Sequence, residues 1–129
     1  MKIRRYLMLF AACTLFLGKS FAANNEKPFV IPELQEWRGA QGMFTPSATS
    51  RIVWQGKDSA VACVANQFAE DYETMFGRKL TVVQGRASAG DFVFSLSGDR
   101  QLGEEGYAVR IADRVNVSAP KAKGLYWAT

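Results

Sequence analysis

The sequence predicts an α+β domain: a mixed, mainly antiparallel sheet covered on one face. Three observations predict it. Apolar residues recur at helical spacing over one long segment, about residues 59–76. Short runs with period-two alternation stand before that segment and after it. Glycines at 85, 90, 98 and 103 break the later runs apart. With one helix among so many strand runs, a repeated strand-helix-strand wind lacks the helices it needs.

In chain order, Phe29-Val30-Ile31 is a short β-prone run stopped by Pro32, because proline cannot donate to a ladder. Leu34 to Arg38 and Gly42 to Thr45 suggest a hairpin around Gly39-Ala40-Gln41. Arg51 to Gln55 alternates and puts Ile52 and Trp54 on one face. Several short strands are therefore expected before the helix. Val61, Val64, Ala65, Phe68, Tyr72, Met75 and Phe76 form the helix's apolar stripe. Asp58 or Ser59 suits its N-cap, Gly77 suits the left-handed residue past its end, and Arg78 and Lys79 complement the dipole there. Strands are expected at 80–83, 92–96, 107–111 and 115–117, the last two joined as a hairpin across Asp113-Arg114. Pro120 suits a first helical turn, and Ala122, Leu125, Tyr126 and Thr129 begin a second stripe without a C-terminal cap. The chain is expected to stop inside that element.

The formal charge of +4 is misleading as a guide to partners. Lys2, Arg4, Arg5 and Lys19 all precede residue 23 and no acid does, so the rest of the chain is neutral. A neutral body lacks the excess of Lys and Arg that phosphate contacts require, which excludes nucleic acid as a partner. With no histidine, Ser-His-Asp, Cys-His and HExxH chemistry is excluded as well. No cofactor and no metal-ligand set is expected. Residues 1–22 read as a secretory signal peptide, with a basic start, an apolar run from Tyr6 to Gly18 and a small-x-small exit at Ser20 and Ala22. The run is too short for a permanent anchor, so the protein is expected to be exported to the periplasm or the medium. The competing reading is a lipoprotein signal lipidated at Cys13, against which Phe10 fits poorly and the apolar run continues through Leu17. Cleavage leaves Cys63 alone, residues 23–28 as a disordered linker and 29–129 as one small domain.

Five pieces in order carry a resemblance: Val30-Ile31-Pro32, Gly42-Met43-Phe44, Gly103-Glu104-Glu105-Gly106-Tyr107-Ala108-Val109, Val115-Asn116-Val117-Ser118-Ala119 and Gly124-Leu125-Tyr126-Trp127-Ala128-Thr129. Together they resemble the N-terminal accessory domain of glycoside hydrolase family 20, the exo-acting β-N-acetylhexosaminidases, over about residues 29–129. Leu34 departs from the family pattern, where a second proline often follows Ile-Pro. The resemblance implies a zincin-like sheet with two helices packed on one face, followed in the parent chain by a (β/α)8 catalytic barrel. It also implies substrate-assisted, retaining hydrolysis of terminal N-acetylhexosamine in that barrel, with an Asp and a neighbouring Glu supplied there. No catalytic, substrate-binding or metal residue is therefore assigned to this chain, which is expected to be inactive alone. Family 84 hexosaminidases and α-glucuronidases carry related domains and remain alternatives.

The residues that could be given chemistry have plainer readings. Glu104 and Glu105 are adjacent at the start of a strand and point to opposite faces, so they do not converge on one sugar ring. Glu70, Asp71 and Glu73 lie off the helix stripe as a solvated charged face. Cys63 also points away from the stripe and reads as a small filler rather than a reactive thiol, since no basic partner stands near it in the helix. Trp37, Trp54, Tyr126 and Trp127 are the flat aromatics a glycan-binding module would use. Trp54 reads as core, and Tyr126 and Trp127, about 100° apart on a helix, read as a surface facing the catalytic barrel. A stand-alone glycan-binding module acting through Trp37 and Trp127 is the alternative.

Overall fold

A computed structural model describes residues 24–129, and the signal-peptide and Cys13 readings lie outside the described residues. The chain divides into two units, one ending at Gly42 and one spanning Met43–Thr129. In the first, the described backbone is irregular, and neither the run at Phe29–Ile31 nor the hairpin around residues 39–41 forms a strand. Local hydrogen bonds hold it instead. The backbone N–H of Asn25 donates to the Ala40 carbonyl at 2.9 Å, its Nδ2 donates to the Gly42 carbonyl at 2.8 Å, and Trp37 Nε1 donates to the Asn25 carbonyl at 3.2 Å. The Asn25 carbonyl also presses on Gly39, leaving no room for a Cβ. A three-residue run ended by proline has too few ladder bonds to hold a partner strand, and side-chain bonds to the backbone take over.

The second unit holds β1 (Arg51–Trp54), α1 (Ser59–Phe76), β2 (Thr81–Gln84), β3 (Phe92–Leu96), a 3-10 turn at Arg100–Leu102, β4 (Ala108–Ile111), β5 (Val115–Ala119) and α2 (Ala122–Trp127). The strands form one mixed sheet in the order β2-β1-β3-β5-β4. Both helices pack on the same face, α1 over β1, β2 and β3, and α2 over β5, β3 and α1. That agrees with the expected α+β class, but the expected pairing is reversed. β1 runs parallel to β2 and β3, and β3 parallel to β5, while only β4 and β5 are antiparallel.

The cause is the connection between β2 and β3. Both strands are in register with β1, Gln84 beside Trp54 and Phe92 beside Ile52, so β2 ends and β3 begins at opposite ends of the sheet. Residues 85–91 must return the length of the strands, and extended backbone covers that distance at about 3.3 Å per residue. α1 fills one face, so the segment passes over the other, where Val53 and Val93 are buried. A short glycine-bearing link reads from sequence as a hairpin turn, whereas here it is a crossover without a helix. The hairpin expected across Asp113-Arg114 does form, with Val109 opposite Val117 and Ile111 opposite Val115.

The core lies between sheet and helices: Ile52, Phe94, Val117 and Ala119 from the strands, Val61, Val64, Ala65 and Ala69 from α1, Leu125 from α2, and Leu80. α1 begins and ends where its caps predict. Asp58 accepts the Ala60 N–H at 2.9 Å, and Gly77, at φ 66°, donates its N–H to the Glu73 carbonyl at 2.8 Å. Asp58→Ala should therefore lower stability by about 1 kcal/mol, read as a shift in the urea midpoint with an unchanged m-value. Past the middle of α1 the stripe behaves differently. Phe68 and Tyr72 are half-buried in an aromatic cluster with Phe92 and Phe94, and Met75 and Phe76 are exposed.

Candidate functional site

The residues with a predicted interface role sit on α2, a helix positioned by close contact. After β5 the chain turns at Pro120–Lys121 and comes back over the sheet. Leu125 is fully buried, and Gly124 lies directly on the Gly106 carbonyl and Ala119. A Cβ at Gly124 would overlap the Gly106 backbone, so glycine is required here by approach distance rather than by dihedral angle. Lys123, on the same turn, forms an ion pair with Glu105, and that bond and charge raise the Lys123 ammonium pKa. Gly106 is itself pressed against the Leu102 carbonyl. The loop before β4 and the first turn of α2 are thus pinned together by one glycine contact and one exposed ion pair.

With Leu125 turned inward, Tyr126 and Trp127 project outward, each 53% exposed. Their rings meet edge to face, with centroids 5.6 Å apart and planes at 70°. The two rings form one aromatic ridge, since edge-to-face pairs are favoured by the ring quadrupoles. Trp54 packs against the core, and Trp37 belongs to the first unit with its indole N–H engaged by Asn25.

The other candidates stay apart. Glu105 is engaged by Lys123, and Glu104 is exposed beside it. On α1, Asp71 accepts from Gln67 Nε2 at 3.1 Å, while Glu70 and Glu73 border a shallow groove with Asn66, Lys79 and Thr81. Among the described residues no group of three His, Cys, Asp or Glu side chains is placed to hold a metal ion. Cys63 is exposed as a free thiol rather than packed as a filler.

Sequence reasoning missed Asp91, the most enclosed charged side chain among the described residues at 2% exposure. It sits just before β3 at the foot of the crossover. Its Oδ1 accepts from the Arg51 N–H at 3.1 Å and Nε at 3.3 Å, and its Oδ2 from Arg51 Nη2 at 2.6 Å and the Ser88 N–H at 2.8 Å. Burial alone pushes this carboxyl up, but the guanidinium bond, the two backbone N–H bonds and the Arg51 charge together hold it below the usual carboxylate range. The available signal was an acid directly after a glycine and directly before an apolar strand, where a buried carboxylate can tie two strand starts together.

The profile described as glycosyl hydrolase family 20, domain 2, matches residues 27–129. The chain belongs to glycosyl hydrolase family 20. The matched part is the N-terminal accessory domain of the family's hexosaminidases, and a family 20 domain 2 implies a catalytic domain in the parent chain. A search of curated proteins finds no match to the chain. In this family 20 domain, three of the five motifs that carried the resemblance meet in space, where Gly124 rests on Gly106 and Ala119.

Proposed function

We propose that the chain is the non-catalytic N-terminal domain of an exported exo-β-N-acetylhexosaminidase, and that Tyr126 and Trp127 belong to the surface it turns toward the catalytic barrel. The family match over residues 27–129 carries this reading. The exposed ring pair on α2 supports the second part: a half-exposed aromatic ridge beside a buried leucine is the kind of anchor that fills a pocket on a packed neighbour. The parent enzyme removes terminal non-reducing N-acetylhexosamine from glycans in the periplasm or medium, with the reacting carboxylates supplied by the barrel. The basic, apolar leader up to Ala22 supports export.

Purified protein spanning residues 23–129 should release no nitrophenol from a nitrophenyl N-acetylglucosaminide above the buffer rate. Turnover by this protein would overturn the assignment. The gene read beyond codon 129 should continue into a barrel with an adjacent Asp-Glu pair. Calorimetry with chitooligosaccharides should be silent, and saturable heat abolished by Trp127→Ala would identify a glycan-binding module instead.

A further inference from the structure

We propose that the open edge of β2, with the groove that α1 builds beside it, is a docking site for an extended protein segment carrying basic residues at alternate positions. β2 is an end strand of the sheet and pairs with β1 alone. The Gly85 N–H donates to the Trp54 carbonyl at 3.2 Å, and strand backbone groups alternate in direction, so residues 81, 83 and 85 turn theirs to β1. Val82 and Gln84 therefore turn both N–H and C=O to the open side, in position to extend the ladder by one more strand. The run Thr81-Val82-Val83-Gln84 has no charge and no proline to guard that edge. Gln84 Nε2 donates to the Gly56 carbonyl at 2.7 Å and Gln55 Nε2 to the Gly85 carbonyl at 3.4 Å, which holds the end of β2 against the turn after β1.

The groove decides what can occupy the edge. Asn66, Ala69, Glu70 and Glu73 recur along α1 at steps of three, one and three and form its helical wall. Leu80 and Val82 border it from the strand side, and Lys79 stands at the start of β2. Ala69 and Leu80, both buried, give the groove an apolar base. Among the described residues neither the Glu70 nor the Glu73 carboxylate has an ion pair, so both can take a basic partner. The two positions lie about 4.5 Å apart along the helix axis, and alternate side chains of an added strand share a face at about 6.6 Å, a mismatch that long lysine or arginine side chains absorb. The same charges exclude a second copy. Antiparallel pairing of β2 with the β2 of another copy would put both α1 helices on one face of a continuous sheet, with their acidic walls confronting each other.

The inference is independent of the hexosaminidase reading, and its test reads binding alone. The probe is a capped peptide of about nine residues with lysines alternating with valines at its centre, titrated into labelled protein spanning residues 23–129 and followed by NMR. Shifts should saturate below about 1 mM, centre on residues 66–73 and 79–84, and accompany slower amide exchange at Val82 and Gln84. N-methylation of the peptide's ladder-forming amides should weaken binding about tenfold. Glu70→Gln with Glu73→Gln should weaken it about fivefold and remove most of its salt dependence, with the urea midpoint of the free protein unchanged. A peptide of the same composition with its lysines grouped together should bind less tightly than the alternating one. No saturation up to about 1 mM, equal affinity for the N-methylated or grouped peptide, or an affinity unmoved by the double substitution would overturn the proposal. So would a dimer by light scattering that protects the Val82 and Gln84 amides and persists with the peptide present, because a second copy would then be the occupant.

Discussion

Asp91→Asn should lower the stability of the domain by about 3 kcal/mol and its Tm by roughly 10 °C or more, with no change in the m-value. The carboxylate accepts two backbone and two guanidinium bonds, and the backbone carbonyl of Asp91 accepts the Val115 N–H at 3.1 Å. The side chain therefore ties the start of β1 to the returning crossover, and the backbone beside it ties the start of β3 to that of β5. Asparagine keeps the shape but turns an N–H2 group toward donors, which leaves at least one of them unpaired in a nearly closed site, and that loss is what costs stability. The neighbouring Gly90 N–H to Asp113 carbonyl bond, at 2.7 Å, should loosen with it and speed exchange there.

The pH dependence of the same variant separates this account from simple packing damage. Asp91 has a folded-state pKa below its unfolded value, so its contribution is complete above an unfolded pKa of about 3.9 and disappears as pH falls through the lower, folded value. The stability gap between the parent protein and Asp91→Asn should be constant above about pH 5 and shrink below about pH 4. A gap that stays constant down to pH 2.5 in thermal melts would show that the charge is not what the site uses.

The sequence made some of these features legible and hid others for physical reasons. The limits of α1 were readable because its caps are local: Asp58 bonds two residues away and Gly77 closes the last turn. The β4–β5 hairpin was readable because its partners are neighbours in the chain. Parallel pairing of β1, β2, β3 and β5 was not, since it depends on a seven-residue link crossing a face that periodicity does not mark. Asp91 was hidden for a related reason: its main partner, Arg51, is 40 residues away. The stripe of α1 pointed correctly to an inward face, but periodicity reports which side a residue takes and not whether anything covers it, as Phe76 shows. Of the candidate interface, the aromatic residues were visible, whereas the contact that orients them was not.

That contact gives the second large effect, and its sign is what makes it a test. In an ordinary helix interior, Gly→Ala stabilises by roughly 0.5–1 kcal/mol, because alanine loses less backbone freedom on folding. Gly124→Ala should instead destabilise the domain by about 2 kcal/mol and lower Tm by roughly 10 °C. The added methyl would occupy the position of the Gly106 carbonyl, with the Ala119 Cβ 2.9 Å away, and both belong to packed elements that cannot swing aside as a long side chain would. Relief requires α2 to lift from the loop before β4, which separates Lys123 from Glu105 and tilts the Tyr126–Trp127 ridge. The indole emission of Trp127 should shift accordingly when Trp37 and Trp54 are replaced by phenylalanine. Lys123→Ala, which removes only the exposed ion pair, should change Tm little. If Gly124→Ala proves as stable as the parent protein or more so, the glycine contact is slack, and α2 is held by Leu125 alone.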